Sequence, residues 1–268
     1  MFAKGSEDRE NRPAPPVRRL VFLLGAALLA AAVTVSGCSR EEEKTKAQSQ
    51  PRSKEEIERI VRNYLLQNPE VLVESMRALE EKKEADRREK AKGAIGRRRA
   101  EIFHDPDSPV GGNPEGDVTI VEFFDYQCGF CRRVAPVVDK ALERDPKLRI
   151  VYKEFPILGP NSSLAARAAL ASRGQGKYLP FHKSLMRVEG ALSESNLLRV
   201  AASVGLDTAR LKEDMKSPDI EAAIKRNHAL ARALFIRGTP AFIIGDRLFP
   251  GALTESILQD MVKTARRK

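Results

Sequence analysis

Residues 118–131 read Val-Thr-Ile-Val-Glu-Phe-Phe-Asp-Tyr-Gln-Cys-Gly-Phe-Cys. The first seven, Val118–Phe124, are β-branched or aromatic at every position but one, which is the composition of a buried strand. The exception is Glu122, an acid inside an apolar run. Cys128-Gly129-Phe130-Cys131 follows where the strand hands over to a helix, expected over Cys128–Leu142 with a kink at Pro136. A thiol at a helix amino terminus faces unpaired N–H groups and the positive end of the helix dipole, and both favour the thiolate. Cys128 is therefore the expected nucleophile. Cys131, one turn along, is placed to resolve a mixed disulfide by attacking the same sulfur.

Other readings of the pair fit less well. A zinc site needs two more ligands, but there is no second C-x-x-C, and His104, His182 and His228 are scattered along the chain. An inert structural disulfide closing so short a loop adds little stability. A coincidental pair of buried thiols is the remaining alternative.

Outward from this segment, Leu148–Phe155 reads as the next strand. Residues 160–235 read as helices broken near Gly174, Gly190, Gly205 and Ser217-Pro218. Pro240–Ile244 is a strand, Gly245-Asp246 a hairpin turn, Arg247–Phe249 its partner, and Thr254–Lys263 a closing helix. Upstream, Phe103–Gly116 is rich in Pro, Gly and Asp and reads as a loop. The order is β-α-β, a helical block, then β-β-α. This is an α/β domain over residues 101–268 with a helical insertion at about 158–235.

The segment before it differs in kind. Ser53 has Glu56 three residues on, the spacing of a capping box. Ile57, Ile60, Val61, Tyr64 and Leu65, then Val71, Leu72, Met76 and Leu79, recur at helical spacing on either side of Asn68-Pro69. From Glu80 to Arg99 most residues are charged, the exceptions being Ile95, three alanines and two glycines. So narrow a stripe makes no core of its own and must find a partner, either the main domain or other copies of the chain. Residues 54–100 are expected to form a helical arm, with the joining of copies as the leading reading.

Residues 20–34 form an apolar run, LVFLLGAALLAAAVT, behind Arg18-Arg19 and ahead of Val35-Ser36-Gly37-Cys38. The run is shorter than the roughly 20 residues that span a hydrocarbon core. It has the layout of a secretory leader, and the residues after it resemble a lipobox, in which Cys38 would carry the lipid. An uncleaved single-span anchor and twin-arginine export are the alternatives. Leader (1–38) and charged tether (39–53) both imply export to the periplasm or cell envelope, where a dithiol cycles or sits oxidised. Cys38 accounts for the odd member of the three cysteines.

Composition sets limits on function. The 268 residues carry 47 Lys+Arg against 37 Asp+Glu, a formal charge of +10. Many of the bases lie within residues 54–99, interleaved with acids and without the aromatics on which single-stranded bases stack, so nucleic acid is not an expected partner. Three cysteines also exclude a disulfide-dense scaffold.

Residues 122–131, Glu-Phe-Phe-Asp-Tyr-Gln-Cys-Gly-Phe-Cys, together with Gly238-Thr239-Pro240 ahead of a β-β-α ending, resemble the thioredoxin fold of DsbA-type thiol-disulfide oxidoreductases. Tyr64–Leu72, with Asn68-Pro69-Glu70 at its centre, resembles the multimerisation region of the ScsC-like branch. The resemblance implies an exported enzyme without metal or organic cofactor. Its catalytic pair would be Cys128 and Cys131, with Pro240 cis against the sulfurs and Glu122 a buried proton-shuttling carboxylate of raised pKa. Lys153 would be that carboxylate's charge partner or an exposed edge lysine, and Glu122 itself would otherwise sit at a solvent-facing strand end. His182 reads as structural. Implied partners are client proteins with cysteines, a membrane or soluble redox partner, further copies of the chain, and the membrane through a lipid anchor. Two departures bear on direction. Gly129-Phe130 replaces the Pro and His common in strong oxidases, and Thr239 resembles isomerases and reductases. Isomerase or reductase is the leading reading, and dithiol oxidase the alternative. An envelope lipoprotein that binds unfolded chains without enzymatic activity is the alternative of another class.

Overall fold

The computed structural model describes residues 52–267, so the leader, Cys38 and nearly all of the tether lie outside the described residues. The chain divides into two units at Asn63/Tyr64. Helix α1 (Lys54–Gln67) begins at Ser53, whose Oγ accepts from Glu56 N at 3.2 Å, the first half of the expected capping box. In the first unit Ile57, Ile60 and Val61 are exposed.

Within the second unit, helix α2 (Glu70–Arg97) starts directly after Pro69. It exposes Leu72, Val73, Met76 and Leu79 at its beginning and buries Ala91, Ala94 and Ile95 at its end. The few apolar residues in the charged run thus fasten the helix to the catalytic domain. Each fully buried isoleucine contributes roughly 1.5–3 kcal/mol. A short helix α3 (Arg99–Phe103) adds Ile102 and Phe103 to the same core.

The sheet is built from β1 (Val110–Gly112), β2 (Val118–Phe124), β3 (Leu148–Glu154), β4 (Ala241–Ile244) and β5 (Arg247–Pro250), in the order β1-β3-β2-β4-β5. Strand β2 is central, parallel to β3 and antiparallel to β4. It is buried on both faces, as its near-continuous apolar run requires. Helix α4 (Gly129–Arg144), running through Pro136, connects β2 to β3. Helices α5 (Pro160–Ala171), α6 (Tyr178–Met186), α7 (Glu194–Ser203), α8 (Thr208–Asp214) and α9 (Pro218–Ala233) fill the space between β3 and β4 in sequence, and α10 (Glu255–Arg266) closes the chain. This is the expected thioredoxin-like α/β sheet with inserted helices.

The reading of residues 103–116 as a loop is corrected by β1. Two of its three residues are glycines, which carry no strand periodicity. Packing requires the second and crowds the first. A Cβ on Gly111 would lie 3.0 Å from Ile150 Cγ2, and one on Gly112, at φ +70°, would lie 2.5 Å from Leu148 O.

Strand register sorts the residues into two cores. Even-numbered residues of β2 and β3, among them Ile120, Phe124, Ile150 and Tyr152, face the helices α4 and α6; Val121, Phe123 and Val151 face α2, α3 and α9. Glu122 pairs with Tyr152 and Phe123 with Lys153. Glu122 and Lys153 therefore lie on opposite faces of the sheet. The expectation that Lys153 partners Glu122, or sits exposed at an edge, is corrected. Lys153 is fully buried, and its Nζ donates to Glu101 O at 2.7 Å and Asp105 Oδ2 at 2.8 Å.

Candidate active site

Cys128 is the N-cap of α4, in extended conformation at φ −74°, ψ 113°, with no side-chain cap bond of its own. The first N–H groups of the helix therefore receive no side-chain cap from Cys128. The turn that presents it is fixed by Asp125. The Asp125 carbonyl accepts from Cys128 N at 3.0 Å. Its carboxylate accepts from Gln127 N and Ser162 Oγ, each at 2.7 Å, and from Ile157 N at 2.8 Å and Leu158 N at 3.0 Å. Sequence reasoning passed over Asp125; an acid flanked by Phe124 and Tyr126 at a strand end was the available signal.

The two cysteines differ in exposure. Cys128 keeps 6% of its surface and Cys131 none. Both are thiols here. Cys128 Sγ donates to Thr239 O at 3.2 Å, and the Thr239–Pro240 peptide is cis. The Gly238-Thr239-Pro240 loop, distant in sequence, is thereby brought against the C-x-x-C. Burial first, and the charge of Glu122 second, push the Cys131 thiol far above its ordinary range. Phe130 lies outside this arrangement, 57% exposed, with the Arg133 guanidinium 4.4 Å above its ring.

Glu122 lies on β2, on the face that packs against α4, and is 2% exposed. Burial, then the charge of Asp139, push its carboxyl up to about 8. Its Oε1 has no hydrogen-bond partner. An unpaired buried carboxylate oxygen is costly, and the residue also lines a pocket of about 30 Å³ together with Arg132, Asp139, Tyr152, His182 and Lys183. That volume holds one or two waters. Lys183 Nζ and Asp139 Oδ1 pair at 2.9 Å at this pocket.

A second acid, missed in the sequence, lies next to it. Glu154 is 1% exposed at the end of β3. Its Oε1 accepts from Tyr126 Oη at 3.0 Å and from Tyr178 Oη at 2.8 Å. Tyr126 Oη is 2.9 Å from His182 Nδ1. Burial, and then the charge of Lys183, drop His182 to about 3, so it is neutral at physiological pH. His182 stacks on Tyr178 and packs 4.5 Å from Tyr152, in agreement with its structural reading.

The chain matches the DSBA-like thioredoxin domain over residues 119–263, more than half of its length. Residues 54–86 match the "Copper resistance protein ScsC N-terminal domain". Among solved structures it is similar to a thioredoxin-like oxidoreductase from Silicibacter pomeroyi, at 51% identity and TM-score 0.62 over 63% of this chain and 98% of that one. It is similar to the thiol-disulfide exchange protein alpha-DsbA2 from Wolbachia pipientis, at 31% and 0.62 over 65% and 95%. It is also similar to Proteus mirabilis ScsC in a transitional conformation, at 31% and 0.61 over 79% and 95%. The curated relatives it matches are much longer. The chain covers 25% of a Na(+)/H(+) antiporter NhaA 3 from Salinispora tropica, to which it is 30% identical over 164 residues. Among the described residues no helix is long and apolar enough to cross a membrane. With the C-x-x-C at the head of α4, the cis Pro240 against it and a family match that spans both, the chain belongs to the DSBA-like thioredoxin family and is a thiol-disulfide oxidoreductase whose active-site pair is Cys128–Cys131.

Proposed function

We propose that the protein is an exported, lipid-anchored disulfide isomerase or reductase of envelope or secreted proteins, assembled through its helical arm. The Cys128 thiolate attacks a client disulfide. A Cys128–client bond forms, the client S–S bond breaks, and the client's second sulfur leaves as a thiolate. The Cys131 thiol passes its proton to Glu122, attacks Cys128 Sγ and releases the client's first sulfur. Two electrons pass from the enzyme dithiol to the client. In isomerisation a different client thiol attacks the client sulfur of the mixed disulfide and displaces Cys128 before Cys131 can, so a new client disulfide forms and no net electrons pass. The reverse sequence oxidises a client dithiol, which is the alternative direction. Thr239 and Pro240 hold the client strand beside the reacting sulfur.

The observation that carries the proton step is the unpartnered Oε1 of Glu122 together with a fully buried Cys131 whose thiol feels the charge of that acid. A thiol so strongly disfavoured as an anion needs a nearby base to become a nucleophile. The observation that supports assembly is the exposed apolar residues of the arm. Tyr64, Leu66, Leu72, Val73, Met76 and Leu79 remain outside both cores, each at least half exposed. At roughly 1.5–3 kcal/mol per fully buried large side chain, their burial between copies offsets the cost of association. Assembly sets several C-x-x-C sites around one client, which suits disulfide shuffling.

The test keeps the domain intact, because removing the arm as far as Arg99 would take Ala94 and Ile95 out of the second core. The chain from Ser39 onward is expected to sediment as an oligomer, and the triple variant Leu72→Glu/Met76→Glu/Leu79→Glu as a folded monomer. The monomer should keep its exchange rate with a small dithiol and lose most activity on a scrambled protein. A parent that sediments as a monomer at tens of micromolar overturns assembly and makes oxidase the leading direction.

A further inference from the structure

Among the described residues, Phe235 is the only non-glycine with positive φ, at +60°. It follows Leu234, the C-cap of α9, and Ile236 N bonds back to Ala231 O at 2.9 Å, closing the helix in the manner of a Schellman turn. The left-handed position in that turn belongs to glycine or asparagine. A bulky side chain there is a backbone outlier. Packing does not explain it. The ring is 46% exposed and stacks on no other ring among the described residues, whereas the next residue, Ile236, is buried. An exposed phenylalanine on strained backbone costs both stability and solubility, and such strain is kept where a site uses it.

Its position says what uses it. Phe235 precedes Thr239 by four residues, so their Cα atoms are at most ~14 Å apart, and Thr239 O touches Cys128 Sγ. Beyond Leu79, the exposed large apolar side chains of the described chain are Phe130, Ile157, Leu158 and Phe235. Each lies on a segment connected to Cys128 by sequence or by backbone hydrogen bonds. Phe130 lies inside the C-x-x-C, and the backbone N–H groups of Ile157 and Leu158 are held by Asp125, whose carbonyl anchors Cys128 N. The exposed large apolar side chains of the catalytic domain thus sit on segments linked to Cys128, with Phe235 on the one that leads into the cis proline.

We infer that Phe235 is a specificity-determining residue, held in left-handed backbone so that its ring contacts an apolar side chain flanking the client cysteine joined to Cys128. The inference rests on the reading that clients are polypeptides.

The test uses the full soluble chain in its dithiol form and two disulfide-linked peptides, one with leucines beside the cysteine and its twin with serines. Oxidised glutathione serves as the small probe. In each reaction the enzyme dithiol becomes a disulfide and the probe is reduced to two thiols. The parent should react faster with the leucine peptide than with the serine peptide. Phe235→Gly and Phe235→Asn, both suited to the left-handed position, should lose about five- to tenfold in rate on the leucine peptide. They should keep the parental rate on glutathione and unfold at an equal or higher urea concentration. Equal parental rates on both peptides overturn the inference, as do variants that keep the preference. Loss of folding stability in both variants would make the ring a packing element, and altered sedimentation with unchanged selectivity would assign it to contact between copies; either result overturns the inference. A parent that turns over glutathione but neither peptide overturns the polypeptide-client reading itself, and the inference with it.

Discussion

Glu122 and Glu154 are two acids on the same face of neighbouring strands, each almost without exposed surface and each pushed above its ordinary pKa first of all by burial. They differ in their partners. Glu154 receives two tyrosine hydroxyls on one oxygen, and one of those hydroxyls is also bonded to His182. Glu122 has an oxygen with none and a pocket beside it. A satisfied buried network fixes a geometry, whereas an unsatisfied buried acid keeps a free energy that a proton can release. The difference separates a carboxyl that holds the active-site turn from one available to move a proton.

The contrast breaks most visibly on stability against pH. Glu122 has its folded-state pKa raised from 4.5 to about 8, so the folded protein retains a proton that the unfolded chain has lost. The stabilisation from that proton is complete below the unfolded value and disappears as pH rises towards about 8. Glu122→Gln cannot titrate. Relative to this variant the parent should lose up to roughly 4 kcal/mol of unfolding free energy between those limits. Urea denaturation at pH 5, 6, 7 and 8 measures it. Parallel curves for the two proteins would place Glu122 in water.

Glu154 should behave differently and by a smaller amount. Glu154→Leu keeps the volume but leaves the Tyr178 hydroxyl buried without its acceptor, for a loss of about 2–3 kcal/mol. Glu154→Gln, which keeps an acceptor, should recover most of it. Urea midpoints for the pair, with thiol exchange on a small disulfide, test the assignment. If Glu154→Gln alters the pH profile of exchange, the two acids share one role and the comparison fails.

Much of this was legible in the sequence, and the remainder was hidden for identifiable reasons. Val118–Phe124, the helix behind Cys128, the hairpin at Gly245 and the break at Asn68-Pro69 each carry a local signal that the structure repeats. Strand β1 carries none, because two of its three residues are glycines, and Gly112 is dictated by the Leu148 carbonyl across from it. Lys153 is neither the partner of Glu122 nor an exposed edge lysine, because the pairing register of parallel strands is set by the whole sheet. Once Glu122 is set opposite Tyr152, the period of two sends Lys153 to the other face. Glu154 was passed over for a similar reason, since Tyr126 and Tyr178 reach it only after the helical insertion has folded onto β3. Ile95 looked like an exception in a charged helix and is a fully buried anchor.

The central claim is that Glu122 takes the proton of Cys131 when the mixed disulfide is resolved. The most direct measurement is the decay of a preformed Cys128–peptide mixed disulfide, followed by rapid quenching from pH 5 to 9 in the parent and in Glu122→Gln. The parental rate should rise with pH and level off as Glu122 becomes a carboxylate near pH 8. The variant should be at least roughly tenfold slower around pH 7–8, within the range that a positioned general base contributes, and should show no such inflection. Superimposable profiles would contradict the account.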